Sequence, residues 1–242
     1  MRYLPLILAA TLACPAAAQT LEVDAAAEIT NDLRERGISA SGGDASVSAT
    51  AGLTAGGLRA EVRAKALRGS ARHGGADLGL ELAGSYRLNS GGWTLDAGAV
   101  ANLFPDARGD WDYGEVFASA RYLIGPVELG AAAFYAPDQA SIGGDNLYLR
   151  GRARLSVPAT PWSVMAEVGR SSGSVDDPLR AARLRPDGNY SDWSVGADWT
   201  RGPITAGLRY GDTDIDRARV VSPLGDRDNN GARVTATLGV SF

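Results

Sequence analysis

The chain carries few residues suited to covalent or metal chemistry. His73 is its only histidine and Cys14 its only cysteine. A Ser-His hydrolase needs serine, histidine and an orienting group held together on a rigid frame. His73 lies instead in Arg68-Gly69-Ser70-Ala71-Arg72-His73-Gly74-Gly75, a Gly-rich link. Asp212, Asp214 and Asp216 form a D-x-D-x-D run. A calcium loop of the EF-hand type would place Gly at its sixth position and Glu at its twelfth. Those positions hold Arg217 and Pro223, so a solvated loop is expected. Phosphate-loop and dinucleotide fingerprints are absent. The sequence therefore predicts no enzyme, no cofactor and no metal site. Its densest charge cluster is Arg150-Arg152-Arg154. On a β-strand, alternate residues share a face, at about 7 Å spacing. Three guanidinium groups so placed could draw anions along a narrow pore. They could equally brace a small barrel by pairing with neighbouring carboxylates such as Glu128 and Glu167.

The arginine cluster has to be positioned by strands, and strands are what the sequence predicts. Ala232, Val234, Ala236, Leu238, Val240 and Phe242 alternate with Arg233, Thr235, Thr237, Gly239 and Ser241. Period two sends one set to each face of a strand. Twelve such segments recur, near 21–30, 44–53, 58–67, 77–87, 93–103, 113–123, 127–136, 147–156, 162–171, 190–200, 204–212 and 232–242. Each is about ten residues, enough for a tilted strand to cross a bilayer. Short Gly- and Pro-rich turns (Thr54–Gly57, Asn89–Gly92, Gly125-Pro126, Ala159–Pro161, Gly202-Pro203) take turns with longer polar links at 31–43, 68–76, 104–112, 137–146, 172–189 and 213–231. This predicts an all-β fold, a transmembrane antiparallel β-barrel of about 12 strands with short periplasmic turns and longer external loops. Tyr86, Trp93, Tyr122, Trp162 and Trp199 sit on the apolar face near short turns, and Tyr135, Trp193 and Tyr210 near long links, as two membrane interfaces favour. A soluble sandwich also alternates, but it gives no reason for alternating link lengths and would favour larger side chains than the frequent Ala.

Composition agrees. Of 242 residues, 45% are apolar and 21% charged, and no long apolar stretch follows the N-terminus, which excludes a helical membrane protein. The net charge of −4 argues against nucleic acid as a partner, since phosphate binding needs a basic face. Met1-Arg2, the apolar run Leu4–Leu12 and Ala16-Ala17-Ala18 read as a secretory signal peptide over residues 1–18, leaving 19–242 as the barrel. Cys14 would leave with it, and its flanking residues fit a lipoprotein site poorly.

In register, the polar face carries Arg59, Glu61, Arg63, Lys65, Glu81, Asp96, Glu115, Arg121, Glu128, Arg150, Arg152, Arg154, Glu167, Asp198, Arg209 and Arg233. Charges of this number are costly in lipid, about 2–4 kcal/mol for each Arg or Lys at the midplane, so they are expected to line the interior. Arg180-Ala181-Ala182-Arg183-Leu184-Arg185 reads as a basic, solvated external loop that could meet lipopolysaccharide phosphates.

The segment Thr30-Asn31-Asp32-Leu33-Arg34-Glu35-Arg36-Gly37-Ile38-Ser39 resembles the N-terminal signature of TorF-type porins of proteobacteria, in which an aromatic-rich stretch ends in Arg-Gly-Ile/Val-Ser. Leu33 and Glu35 stand in place of that family's usual aromatics. Ser191-Asp192-Trp193-Ser194-Val195-Gly196 and Tyr210-Gly211-Asp212-Thr213-Asp214-Ile215 resemble its closing strands. Ser241-Phe242 is similar to the terminal aromatic signal that the barrel-assembly machinery reads in outer-membrane proteins. The resemblance implies a small porin of the cell outer membrane. Its expected surroundings are outer-membrane lipids, lipopolysaccharide and small hydrophilic solutes, and any anion preference would rest on the arginine cluster. A closed barrel with a structural or adhesive role is the alternative.

Overall fold

The computed structural model describes residues 21–242, so the signal-peptide reading and Cys14 lie outside the described residues. Twelve strands close into an antiparallel barrel: β1 (Leu21–Thr30), β4 (Ser46–Ala55), β5 (Leu58–Ser70), β6 (Ala76–Ser90), β7 (Trp93–Leu103), β8 (Tyr113–Ile124), β9 (Val127–Gln139), β10 (Gly144–Ser156), β11 (Trp162–Ser172), β12 (Tyr190–Arg201), β13 (Ile204–Thr213) and β14 (Arg233–Ser241). Two further short strands, β2 (Arg34–Glu35) and β3 (Ile38–Ser39), pair with each other as a hairpin between β1 and β4. A four-residue helical turn, Pro178–Ala181, lies in the loop after β11. Neighbouring strands follow chain order, and β1 closes on β14 with Ala26 opposite Ser241 and Thr30 opposite Thr237.

Short turns form where the sequence supplies residues that tolerate them. Between β6 and β7, Gly91 and Gly92 both take positive φ (56° and 86°). That is the conformation a two-residue hairpin turn demands at both positions. Followed once round the barrel, the strand registers return to β1 displaced by about 16 residues. For twelve strands this shear tilts them by about 45° and sets a backbone radius of about 12 Å.

The two faces have opposite chemistry. Leu82, Val116, Leu149, Leu208 and Leu238 all point outward and are exposed. Their immediate neighbours Glu81, Glu115, Arg150, Arg209 and Thr237 occupy the opposite face, as the pleat requires. The exterior is thus an apolar belt with Tyr86, Trp93, Trp162 and Tyr135, Trp193, Tyr210 exposed near its two ends. The apolar packing inside the protein is not at mid-barrel. It gathers at the long-loop end, in clusters of Leu33, Ala40, Leu67, Ala76 and Phe104, of Ile38, Tyr190, Ile215 and Val220, and of Ala136, Ile142 and Leu184.

Two expectations for the loops are corrected here. His73 is not in a loose link: it is buried in a short helical turn, Ala71–His73, and stacks on Phe104 with centroids 4.9 Å apart. Nor is the basic stretch 180–185 solvated, because Arg183 and Arg185 are buried. Arg183 lies over the rings of Phe104, Trp111 and Tyr113 and donates to the carbonyls of Trp111 (2.6 Å) and Ser141 (3.3 Å). The loops fold over the barrel mouth, where the buried Arg72, Arg183 and Arg185 are engaged by ring faces and main-chain oxygens.

Leu82→Arg, which puts a charge on the exterior of β6, should lower folding stability by about 2–4 kcal/mol. Urea titration of protein refolded into liposomes reads this directly. A loss below about 0.5 kcal/mol, the ordinary range for a surface change, would contradict the lipid-facing assignment.

Candidate functional site

The interior holds two cavities. One, of about 340 Å³, occupies the half nearer the short turns and is lined by Arg59, Arg87, Arg121, Arg150 and Arg152 with Glu61, Asp96 and Glu128. The other, of about 310 Å³, lies nearer the long loops and is lined by Arg34, Arg36, Arg63, Arg152, Arg209 and Arg233 with Glu28, Asp32 and Glu167. Arg152 is the one residue that lines both.

Most interior charges are paired across adjacent strands. Arg59 bonds Asp24 (2.6 Å) and Glu61 (2.7 Å). Asp96 accepts from Arg87 (2.7 Å) and lies 3.5 Å from Arg121, which also faces Glu128 at 3.8 Å. Arg63 meets Glu81 at 3.9 Å. Lys65 is buried between Glu35 and Glu81. Arg233 lies 3.6 Å from Asp32.

The arginine ladder is not uniform. Arg154 is neutralised by Asp198 at 3.0 Å, which it shares with Arg209 at 3.3 Å, and it also bonds Ser163. Among the described residues, Arg150 and Arg152 have no carboxylate oxygen within 4.0 Å. The bracing partners expected from sequence, Glu128 and Glu167, therefore do not close on the ladder, although Glu167 is directly opposite Arg152 in register. The Arg152 Nε atom is buried without a hydrogen-bond partner.

The interior is also crossed by a segment of the chain. The β2–β3 hairpin, expected to be part of an external link, folds into the barrel. At its tip Arg36 forms a two-oxygen bond with Glu115 (2.7 Å to each) and lies over the rings of Tyr148 (4.8 Å) and Phe134 (5.7 Å). Glu35 bonds Lys65, and Arg34 bonds Asp32 and the carbonyls of Gly37 and Gly231. On the far wall, Tyr190 donates to the Arg36 carbonyl (2.8 Å) and packs with Ile38 and Ile215. Residues Arg36–Ser39 thus meet Tyr190 and, from the two later motifs, Asp192, Thr213 and Ile215 at one place. Burial opposes charge on Glu35, but the Lys65 ammonium, with His73 and Arg72 beyond it, outweighs this and holds the carboxyl well below its usual range.

Gly37 explains the fit. Its φ is 77°, and a Cβ there would lie 2.6 Å from Asp192 Cβ and 2.7 Å from Thr213 Cγ2. Gly37→Ala should destabilise the seated hairpin by about 1 kcal/mol from φ alone, with the clash added. In the folded wild type, Arg34 and Arg36 should resist trypsin; the variant should be cut there, and equal resistance would show that the glycine is dispensable.

His73 links the mouth to pH. Burial and the nearby guanidinium groups of Arg72 and Arg183 hold its pKa well below the usual 6.5, with Glu35 acting the other way. Its Nδ1 lies 3.4 Å from an Arg183 nitrogen. The neutral ring is therefore the folded form. Its contribution is complete above pH about 6.5 and is lost as acid protonates it below that value. The thermal midpoint should fall between pH 8 and pH 5, and by less in His73→Phe. Identical pH dependence in both proteins would exclude this role.

Two solved structures share the architecture over nearly their whole lengths. The "KdgM porin" is 8% identical, with 92% of this chain and 98% of that one covered and a TM-score of 0.53. The COG4313 outer membrane channel from Pseudomonas putida F1 is 12% identical, with 94% and 98% covered and a TM-score of 0.54. At such identities the likeness is one of fold, and with the apolar exterior it places the barrel in the outer membrane. None of the curated proteins matches the chain in sequence. Residues 14–242 match the family model described as a bacterial protein of unknown function (Gcw_chp), and the chain belongs to that family.

Proposed function

We propose that the barrel is a passive channel for small hydrophilic solutes with a preference for anions. The observation that carries this reading is the arginine-rich lining of the two interior cavities. Five arginines oppose three carboxylates in one cavity, and six oppose three in the other. Asp24, Glu115 and Asp198, which neutralise Arg59, Arg36 and Arg209, line neither cavity. A positive wall in a confined, low-dielectric space raises the local concentration of anions. Arg152, shared by both cavities, and Arg150 beside it are the selectivity residues of this reading. The charged residues named above form the pore wall in it.

The resemblance to TorF-type porins and the fold shared with outer-membrane channels support a channel. On this reading residues 1–18 direct export, the assembly machinery reads Phe242 during insertion, and lipopolysaccharide meets the exposed loops and not the buried Arg183 and Arg185. The hairpin that crosses the interior favours a second reading, a closed barrel with a structural or adhesive role.

Single-channel recording in a planar bilayer under a salt gradient separates the two. Discrete steps with an anion-selective reversal potential are expected, and Arg150→Ser with Arg152→Ser should move that potential toward cation selectivity more than Arg154→Ser does. Silence from folded protein would favour the closed barrel, and unchanged potentials would remove both arginines from the selectivity assignment.

A further inference from the structure

The inner wall carries a feature that ionic selectivity leaves unexplained. Phe117, Phe134 and Tyr148 face the interior from β8, β9 and β10, in direct register with one another. Phe117 and Phe134 stack at 5.7 Å, and Phe134 and Tyr148 lie 6.4 Å apart. Such a ladder is apolar surface on the face that otherwise holds charge. Its upper part is occupied: Arg36 covers Tyr148 and Phe134, and the Tyr148 hydroxyl reaches Asp192 at 3.2 Å, passing over Gly169. Its lower part is not. Phe117 is half-buried and lines the cavity nearer the short turns, as do Phe134 and the unpaired Arg150 and Arg152. Arg150 lies 5.6 Å from the centre of the Phe134 ring.

We infer that this cavity binds a small carboxylate carrying a flat apolar ring, with the ring against Phe117 and the carboxylate on Arg150 and Arg152. The inference deepens the channel reading and rests on it for the route by which solute arrives. Charge balance selects the anion. Asp96, Glu61 and Glu128 already face Arg87, Arg59 and Arg121, so the two arginines without carboxylates are where a single negative group is received. The same balance disfavours a sugar acid. The cavity's carboxylates are engaged by arginines and its neutral polar side chains are Ser85 and Ser119, which leaves few partners for a ring of hydroxyls. A phenyl ring asks for none and gains from aromatic stacking and from the guanidinium beside it. A cavity of about 340 Å³ accommodates one such ring with its carboxylate.

The test uses protein refolded in detergent, titrated calorimetrically with benzoate, acetate, benzyl alcohol and glucuronate, alongside block of single-channel current by the same solutes. Benzoate should bind more tightly than acetate by about three- to tenfold, the range a stacked aromatic pair supplies. Benzyl alcohol and glucuronate should both be weaker than benzoate. Phe117→Ala should bring benzoate to the affinity of acetate, Phe117→Leu should fall between, and Val116→Ala, on the exterior, should not change it. Arg150→Ser with Arg152→Ser should abolish benzoate binding. Equal affinity for benzoate and acetate, tighter glucuronate, or indifference to Phe117→Leu would overturn the site. Calorimetric binding to a barrel that does not conduct would keep the site and discard the channel reading. Conductance with no discrimination among the four solutes would do the reverse.

Discussion

A chain inside hydrocarbon has nowhere to leave an unpaired backbone N–H or C=O, and this constraint governs everything else in the molecule. It is met by the seam between β1 and β14. There Ala25 and Phe242 exchange main-chain hydrogen bonds in both directions (3.2 and 2.8 Å), and the pairing continues to Thr30 and Thr237. With no free edge, each strand has one face toward lipid and one toward the interior. The period of two follows, and so does the location of charge. Lys and Arg are tolerable only inward, where Glu and Asp on adjacent strands meet most of them. The ion pairs inside the barrel are thus a consequence of closure more than its cause. Partly exposed pairs of this sort contribute little to stability on their own.

Closure also creates a space that inward side chains do not fill. At about 12 Å backbone radius, side chains reach from each wall and still leave room. The chain places its own hairpin there. The contacts that seat it are of two kinds. Toward β5 and β8 they are ionic, through Glu35 with Lys65 and Arg36 with Glu115. Toward β12 and β13 they are steric, through Gly37 lying against Asp192 and Thr213 and Ile38 buried with Tyr190 and Ile215. The hairpin lines the cavity nearer the long loops, and Arg152 is the residue common to both cavities.

Almost all of the barrel was legible in the sequence, because alternation is a local property imposed on every strand by the same two environments. The segments read at 21–30 and 93–103 coincide with β1 and β7; β4 is shifted by two residues from 44–53, β14 is one residue shorter at each end than 232–242, and the other strands run up to three residues further than read. Inward orientation of the charged residues follows from the same parity. The loops were not legible, since their course depends on contacts between distant residues. Arg183 and Arg72 illustrate why. A buried guanidinium is expected to have a carboxylate, and a basic stretch without one reads as solvated. Here Arg183 finds ring faces and carbonyls, and Arg72 donates to the carbonyl of Arg183 at 2.7 Å. Main-chain acceptors leave no trace in residue types. The hairpin did leave a trace, in the Arg36-Gly37-Ile38-Ser39 motif and the two later motifs that contact it. The inner aromatics left one too, as Phe117, Phe134 and Tyr148 on the charged parity.

The sign of the interior runs against the sign of the whole chain. The protein carries a net charge of −4, yet its two interior cavities are lined by more arginines than carboxylates. The balance is restored on the long loops, where Asp106, Asp110, Asp112, Asp138, Asp176, Asp177, Asp214, Asp216 and Asp228 are exposed. An anion approaching from that side crosses a negative rim before it meets a positive wall. At physiological ionic strength charges further apart than about 8 Å are largely screened, so the rim acts weakly and the confined interior acts strongly. On the channel reading, discrimination between solutes belongs to the wall, whose geometry is fixed by strands. On that reading the loops, which carry the exposed Arg68, Arg108, Arg217, Arg219 and Arg227 beside these aspartates, govern access.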